Sequence, residues 1–158
     1  MDYEIRVASL NHFEKIKPIH KEVHDLHVKG RPDKYNPTNN TLDFNYFKSL
    51  VDDKDSIIYI IENDVKIIAF TFLRKYQTAH RETVVKKEYV FMEDLGVTEK
   101  FRGEGLGKLL FNKALEFTKE VGATSLELGV WEFNEQAIKF YEAMGMKTQA
   151  RKMEIKLL

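Results

Sequence analysis

The chain has 158 residues, with 25 basic and 25 acidic side chains, five histidines and no cysteine. That length suits one domain, 1–158, with a sizeable core, and zero net charge argues against a nucleic-acid footprint or an acidic solvating tail. The lack of cysteine removes disulfides, cysteine-ligated zinc, iron–sulfur clusters and a cysteine nucleophile together.

The N-terminus, residues 1–7, mixes charge with β-branched residues and has no apolar signal core. The longest apolar runs, residues 57–61 and 67–73, are strand-length and far too short to span a bilayer. A soluble, cytoplasmic protein with no membrane partner is the expectation.

In chain order, residues 2–8 read as a strand. Asn11, with Glu14 three residues on, has capping-box spacing for a first helix carrying Phe13, Ile16, Val23 and Leu26. Pro18 is expected to kink that helix or shift its start. Residues 30–40 are polar and hold two prolines, so they read as loop, and Thr41 is the expected cap of a second helix with Phe44, Phe47, Leu50 and Val51 on one side. Strands follow at 56–61, 65–74 and 84–97, the first two joined by an Asn63-Asp64 turn. Short links imply an antiparallel meander.

A third helix spans about residues 105–121, stopped by Gly122. Residues 125–131 form a strand, Asn134 caps a helix running to Met144, and residues 151–157 alternate as a closing strand with Met153, Ile155 and Leu157 on one face. A strand ending at Val97, a helix and a strand from Leu126 make a βαβ unit, whose right-handed crossover renders the two strands parallel. The fold class is therefore α/β (α+β), a mixed sheet with an antiparallel N-terminal meander, a parallel βαβ unit and helices on both faces. The open last strand makes a homodimer possible.

The sharpest local signal is Arg102-Gly103-Glu104-Gly105-Leu106-Gly107, between a strand and a helix. Glycines let backbone N–H groups approach one ligand, and the helix N-terminus adds partial positive charge, so this is an anion site suited to phosphate. Lys100, Arg102 and Lys108 add charge nearby. The spacing is neither a P-loop nor G-x-G-x-x-G. The bland reading is a glycine-rich surface turn.

At this point the sequence resembles the GNAT superfamily of acyl-CoA-dependent N-acetyltransferases. Arg102, Gly105 and Gly107 match its [QR]-x-x-G-x-[GA] pattern, and Trp131-Glu132-Phe133-Asn134, Ala137, Phe140-Tyr141 and Gly145-Met146 are similar to a second family segment, with Met146 where phenylalanine is usual. The resemblance implies an N-acetyltransferase moving an acetyl group from acetyl-CoA, its co-substrate, to a primary amine by direct attack in a ternary complex, with no metal. The pyrophosphate would sit on the backbone of Arg102, Gly103, Glu104, Gly105, Leu106, Gly107 and Lys108, and the pantetheine arm would pair with backbone near Leu95 and Val97, close to Asn134.

Acetyl transfer needs a base for the ammonium, a donor for the oxyanion and a donor for the departing thiolate. Period-two alternation puts Phe91, Glu93, Leu95 and Val97 on one face before any bulge, which favours Glu93 as base. Asp94 is the alternative, expected on the opposite layer, and both could act through water or simply attract the amine. Tyr141 shares a helix face with Ala137 and Met144 and is the candidate acid; its bland reading is a core aromatic. Leu95 N–H is the candidate oxyanion donor.

His20, His24 and His27 recur at helical spacing; a polar helix face or pocket wall fits them better than a zinc pair, since no H-E-x-x-H accompanies them. The resemblance places the acceptor, a small-molecule or peptide amine, against His24, Arg31, Asp33, Asp94 and Trp131, although Trp131 reads equally as core. Two other functions fit parts of the pattern: a non-catalytic acyl-CoA-binding or regulatory module on the same fold, and an unrelated nucleotide-phosphate binder.

Overall fold

The sheet is laid down in strict sequence order. A computed structural model describes residues 2–158, with β1 (Ile5–Val7), α1 (Phe13–Gly30), α2 (Phe44–Asp52), β2 (Ser56–Asn63), β3 (Lys66–Gln77), β4 (Glu88–Val97), α3 (Leu106–Glu120), β5 (Ser125–Glu127) and α4 (Glu135–Ala143). The five strands stand in the order β1-β2-β3-β4-β5. The first four are antiparallel, and β4 pairs β5 in parallel. Among the described residues no helix is long and apolar enough to cross a membrane.

Two apolar layers sandwich the sheet. Ile16 and Ile19 of α1 and Phe47 and Leu50 of α2 bury against Ile58, Ile60, Phe70 and Phe72. On the other face Leu106, Leu110, Phe111, Ala114 and Phe117 of α3 pack on Tyr59, Ile61, Ile68, Leu73, Val90 and Met92. Burial on both faces explains why β2 and β3 read as continuous apolar runs rather than as alternating ones.

Several boundaries differ from the sequence reading. A short 3-10 turn, Leu10–His12, precedes α1; it is entered at Ser9, whose backbone N–H donates to Nδ1 of His12 at 3.0 Å, not at Asn11 with Glu14. An imidazole serves where the pattern asks for a carboxylate. α1 runs through Pro18, which lies close enough to the helix start to cost only the bond to the Glu14 carbonyl. Asp43, not Thr41, caps α2, accepting from Tyr46 N–H at 2.9 Å. The β2–β3 turn is Asp64-Val65, because Asn63 pairs with Lys66; Asp64 takes the left-handed conformation at φ 55°. β4 starts at Glu88 rather than at 84.

Two corrections matter for the site. β5 ends at Glu127 rather than 131, so β4 loses its parallel partner beyond Phe91 while pairing β3 as far as Val97. This is a fork with one open arm. The expected last strand, 151–157, pairs with no strand among the described residues, and Met153, Ile155 and Leu157 stand 87%, 87% and 89% exposed.

Phe72 is fully buried between α1, α2 and the sheet. Phe72→Ala is expected to lower unfolding stability by about 3–5 kcal/mol, read as a shift of the urea midpoint with unchanged slope.

Candidate active site

Everything at the fork depends on a bulge. Phe72 pairs with Asp94 and Leu73 with Met92, leaving Glu93 as the extra residue of β4. A bulge resets the alternation of the strand. Val90 and Met92 before it, and Leu95 and Val97 after it, face the α3 layer. Glu93 reaches Tyr46 of α2, and Asp94 reaches His20 of α1, so both carboxylates share the α1–α2 face. The sequence reading put Glu93 with Leu95 and Val97, and Asp94 on the other layer; the bulge overturns both placements.

The two acids are held differently. Glu93 accepts from the hydroxyls of Tyr46 and Tyr76, one on each carboxylate oxygen. Burial and this neighbouring carboxylate push both phenols above their usual range. Asp94 lies 3.2 Å, Oδ2 to Nε2, from His20. The other ring nitrogen of His20 is 2.8 Å from Thr41 Oγ1, and the ring stacks on Phe72. The remaining two histidines of the repeat are committed to backbone: His24 Nε2 lies 2.7 Å from the Asn36 carbonyl and His27 Nδ1 2.9 Å from that of Val23. Among the described residues no cluster of three or more His, Asp or Glu side chains is arranged to hold a metal.

His20, His24, Glu93 and Asp94 line a cavity of about 1130 Å³, whose far wall includes Arg31, Tyr35 and Trp131. Trp131 is thus a pocket residue. Its Nε1 donates to Tyr35 Oη at 2.8 Å, and the Arg31 guanidinium covers its ring at 4.6 Å. Asp33 does not line the cavity. Its carboxylate instead accepts two bonds from Arg31, both 2.9 Å, and lies 2.9 Å from Lys156 Nζ. These cations hold the Asp33 carboxyl well below the usual range.

On the opposite side of β4 the glycine turn leads into α3. Gly103 and Gly105 adopt φ 81° and 84°, with open space where a Cβ would stand. No side chain caps α3 and no acid occupies its first turn, so its first N–H groups are free for an anion. Gly107 has a different reason: a Cβ there would meet Phe140 at 3.3 Å, so it lets α3 approach α4. Leu106 is buried and offers only backbone to a ligand. Glu104 accepts from Tyr3 Oη at 2.6 Å. Arg102 folds back, its Nε donating to the Val97 carbonyl at 3.0 Å and its guanidinium 3.7 Å from Glu22. Lys100 and Lys108 are left as side-chain cations beside the turn. An open glycine cradle beside an uncapped helix start fits a pyrophosphate.

α4 closes the site from below. Asn134 caps it, Oδ1 accepting from Ala137 N–H at 3.3 Å. Tyr141 packs against Phe111 and Phe140, and its hydroxyl makes no side-chain hydrogen bond among the described residues. Burial, with the Asp94 charge adding to it, pushes that phenol up to about 12.

Sequence reasoning missed Tyr46 and Tyr76, which come from other elements with no motif around them, whereas the resemblance had the span from Arg31 to Tyr35 bordering the acceptor pocket, and Arg31 and Tyr35 do line the cavity. It also missed Glu22, which accepts from Thr98 Oγ1 and Glu99 N–H, both at 2.7 Å, and ties α1 to the end of β4.

Comparison with known proteins agrees with this fold. A mutant of the BH1408 protein from Bacillus halodurans is 32% identical, with a TM-score of 0.93 over 98% of this chain and 99% of that one. An aminoglycoside N-acetyltransferase in complex with CoA, 16% identical, shares the fold at a TM-score of 0.72 over 97% and 98% of the two chains. An uncharacterised N-acetyltransferase of Methanocaldococcus jannaschii is 31% identical over 102 residues, 65% of this chain and 44% of that protein. A thialysine N-epsilon-acetyltransferase of Bos taurus is 32% identical over 60 residues, 38% of this chain and 35% of that protein. The chain thus spans less than half the length of these two curated relatives. The model of the Acetyltransferase (GNAT) family matches residues 20–146. That match runs from within α1 past the end of α4, and the chain belongs to the Acetyltransferase (GNAT) family.

Proposed function

We propose that the protein transfers an acetyl group from acetyl-CoA to the primary amine of a small cationic acceptor, both substrates being bound together. The observation that supports this reading is that β4, past the end of its pairing with β5, carries the Glu93–Asp94 bulge and leads into the glycine cradle, while Tyr141 offers a phenol with no side-chain hydrogen bond among the described residues. Amine acetylation by a relative named for thialysine supports the acceptor class.

In this reading the glycine turn and the start of α3 take the pyrophosphate, and β4 backbone near Leu95 and Val97 takes the pantetheine. The acceptor enters through the cavity between His24, Arg31 and Trp131. An amine of ordinary pKa near 10 is only about one part in a thousand unprotonated at pH 7, so it arrives as a cation. Glu93 attracts that cation. Both of its oxygens already accept from tyrosine hydroxyls, which fixes the carboxylate in place as a charge for the ammonium to approach. Asp94 takes the proton, and His20 is a positioning residue that bridges Asp94 and Thr41.

The amine nitrogen then bonds to the thioester carbon, whose oxygen accepts from Leu95 N–H, and the carbon–sulfur bond breaks. Tyr141 donates a hydrogen bond to the sulfur as charge builds there. A phenol at about 12 is neutral throughout the working range, which suits donation. Complete transfer of its proton to a thiolate of ordinary pKa near 8.5 runs uphill by about 3–4 units; the first ammonium proton leaves by way of Asp94 to solvent, and the second, lost from nitrogen as the tetrahedral intermediate collapses, passes through Tyr141 to the thiolate. Without cysteine in the chain, direct attack needs no acetyl-cysteine intermediate.

Tyr141→Phe is expected to cut kcat about 100-fold while leaving the acetyl-CoA Kd nearly unchanged in a calorimetric titration. Asp94→Asn should lower kcat by a similar factor, whereas Glu93→Gln should act mainly on the amine KM, raising it about 10-fold; equal effects on kcat would reject the division of roles. Tyr141 stays protonated, so kcat should show no falling limb below about pH 10. Gly105→Val, strained at φ 84°, should weaken acetyl-CoA binding at least about 10-fold without unfolding the protein by circular dichroism.

A further inference from the structure

The cavity that holds Glu93 and Asp94 has two poles, and α1 measures the distance between them. His20, His24, His27 and, just past the helix end, Arg31 recur on one face of α1, and all four line the cavity. His20 meets Asp94 at 3.2 Å. The rings of His24 and His27 meet Tyr35 edge-on, and Arg31 covers Trp131. At roughly 1.5 Å rise per residue, the face from His20 to Arg31 is about 16 Å long. One end is acidic and the middle is aromatic.

The far end is cationic. Arg31, Lys34, Arg151 and Lys152 line the cavity there, against Glu132 and Glu154. Glu154 is already engaged by two cations, Arg31 at 2.5 Å and Lys34 at 3.2 Å. Glu154 and Lys156 reach back to the loop after α1, while Met153, Ile155 and Leu157 stand out in solvent. The same alternation puts Lys152 on the Glu154 side of the segment. Lys152 is thus a cation at the cavity with no ion pair among the described residues. A ligand that covers it without a counter-charge desolvates it for nothing in return. The cavity, at about 1130 Å³, also exceeds the roughly 300–1,000 Å³ that encloses a drug-sized ligand, so a single amino acid leaves most of it empty.

We propose that the acceptor is a short peptide of about three or four residues, its terminal ammonium held at Glu93 and Asp94 and its C-terminal carboxylate held at Lys152. This rests on the acetyl transfer proposed above and names the acceptor for it. An extended chain gains at most about 3.3–3.6 Å per residue, so three or four residues span about 10–14 Å and reach both poles, whereas one amino acid reaches only one. The aromatic middle, with Tyr35 and Trp131, takes the atoms between. A peptide α-ammonium, of ordinary pKa near 8, still arrives as a cation at pH 7.

The test uses trialanine and tetraalanine, each as free acid and as C-terminal amide, with alanine and 1,8-diaminooctane alongside. Release of thiol from acetyl-CoA is followed for each. The free acids are expected to exceed their amides in kcat/KM at least about 5-fold, with alanine a poor acceptor. Lys152→Glu, at an exposed position, should reverse that preference. Acid and amide share the same reacting amine, so a merely structural loss would lower both and leave their ratio alone. Equal kcat/KM for acids and amides, or a ratio unmoved by Lys152→Glu, would overturn the proposal. Acetylation of the diamine but of no peptide would overturn the peptide assignment and leave acetyl transfer standing; no thiol release with any acceptor would overturn both.

Discussion

One extra residue in β4 sets the chemistry that the fork can perform. Without the bulge at Glu93, strict alternation would place the two adjacent acids on opposite faces of the sheet. With it, both open onto the α1–α2 side, while Leu95 and Val97 keep their α3-side contacts. The backbone on either side of this point performs two different tasks. Before it, β4 is held on both sides by β3 and β5; after it, β3 alone holds the strand. A backbone edge with unpaired donors and acceptors is a site for another chain or ligand to pair with, and the open arm leads into the glycine turn.

The charges around the cavity follow the same economy. Arg31 is largely neutralised by Asp33 and Glu154 and is laid over Trp131. Asp94 is paired with His20, and Arg102 is turned toward Glu22 and the Val97 carbonyl. Glu93 has tyrosine hydroxyls as its partners and no cation. Among the described residues it makes no ion pair, which leaves its charge for the ammonium of the proposed acceptor. For the opposite substrate, a chain of zero net charge offers no general positive field. In the proposed reaction the phosphate end would depend on backbone dipoles at the start of α3, with Lys100 and Lys108 beside it.

Much of the fold was legible because it rests on periodicity. The meander, the βαβ unit and the helices at 13–30, 44–52, 106–120 and 135–143 follow from the apolar pattern, and Gly103 and Gly105 at positive φ announce the turn. Boundaries set by single hydrogen bonds were harder. Ser9 with His12 in place of Asn11 with Glu14, and Asp43 in place of Thr41, are competitions between near-equivalent caps that differ by fractions of a kcal/mol. The tail misled for a sharper reason. Residues 151–157 have a strand's alternation, but alternation says which residues share a face and not which chain provides the neighbouring strand.

The sequence by itself determined the glycine cradle, the order of strands and helices, and the presence of Glu93, Asp94 and Tyr141 close to the fork, because each is encoded within a few consecutive residues. Only the tertiary structure decided how those residues are used. The bulge phase is set by pairing with β3, Tyr46 and Tyr76 reach Glu93 from α2 and β3, and His20 comes to Asp94 from α1. These contacts join residues 17 to 74 positions apart, and such meetings depend on how the layers pack, which no local pattern records.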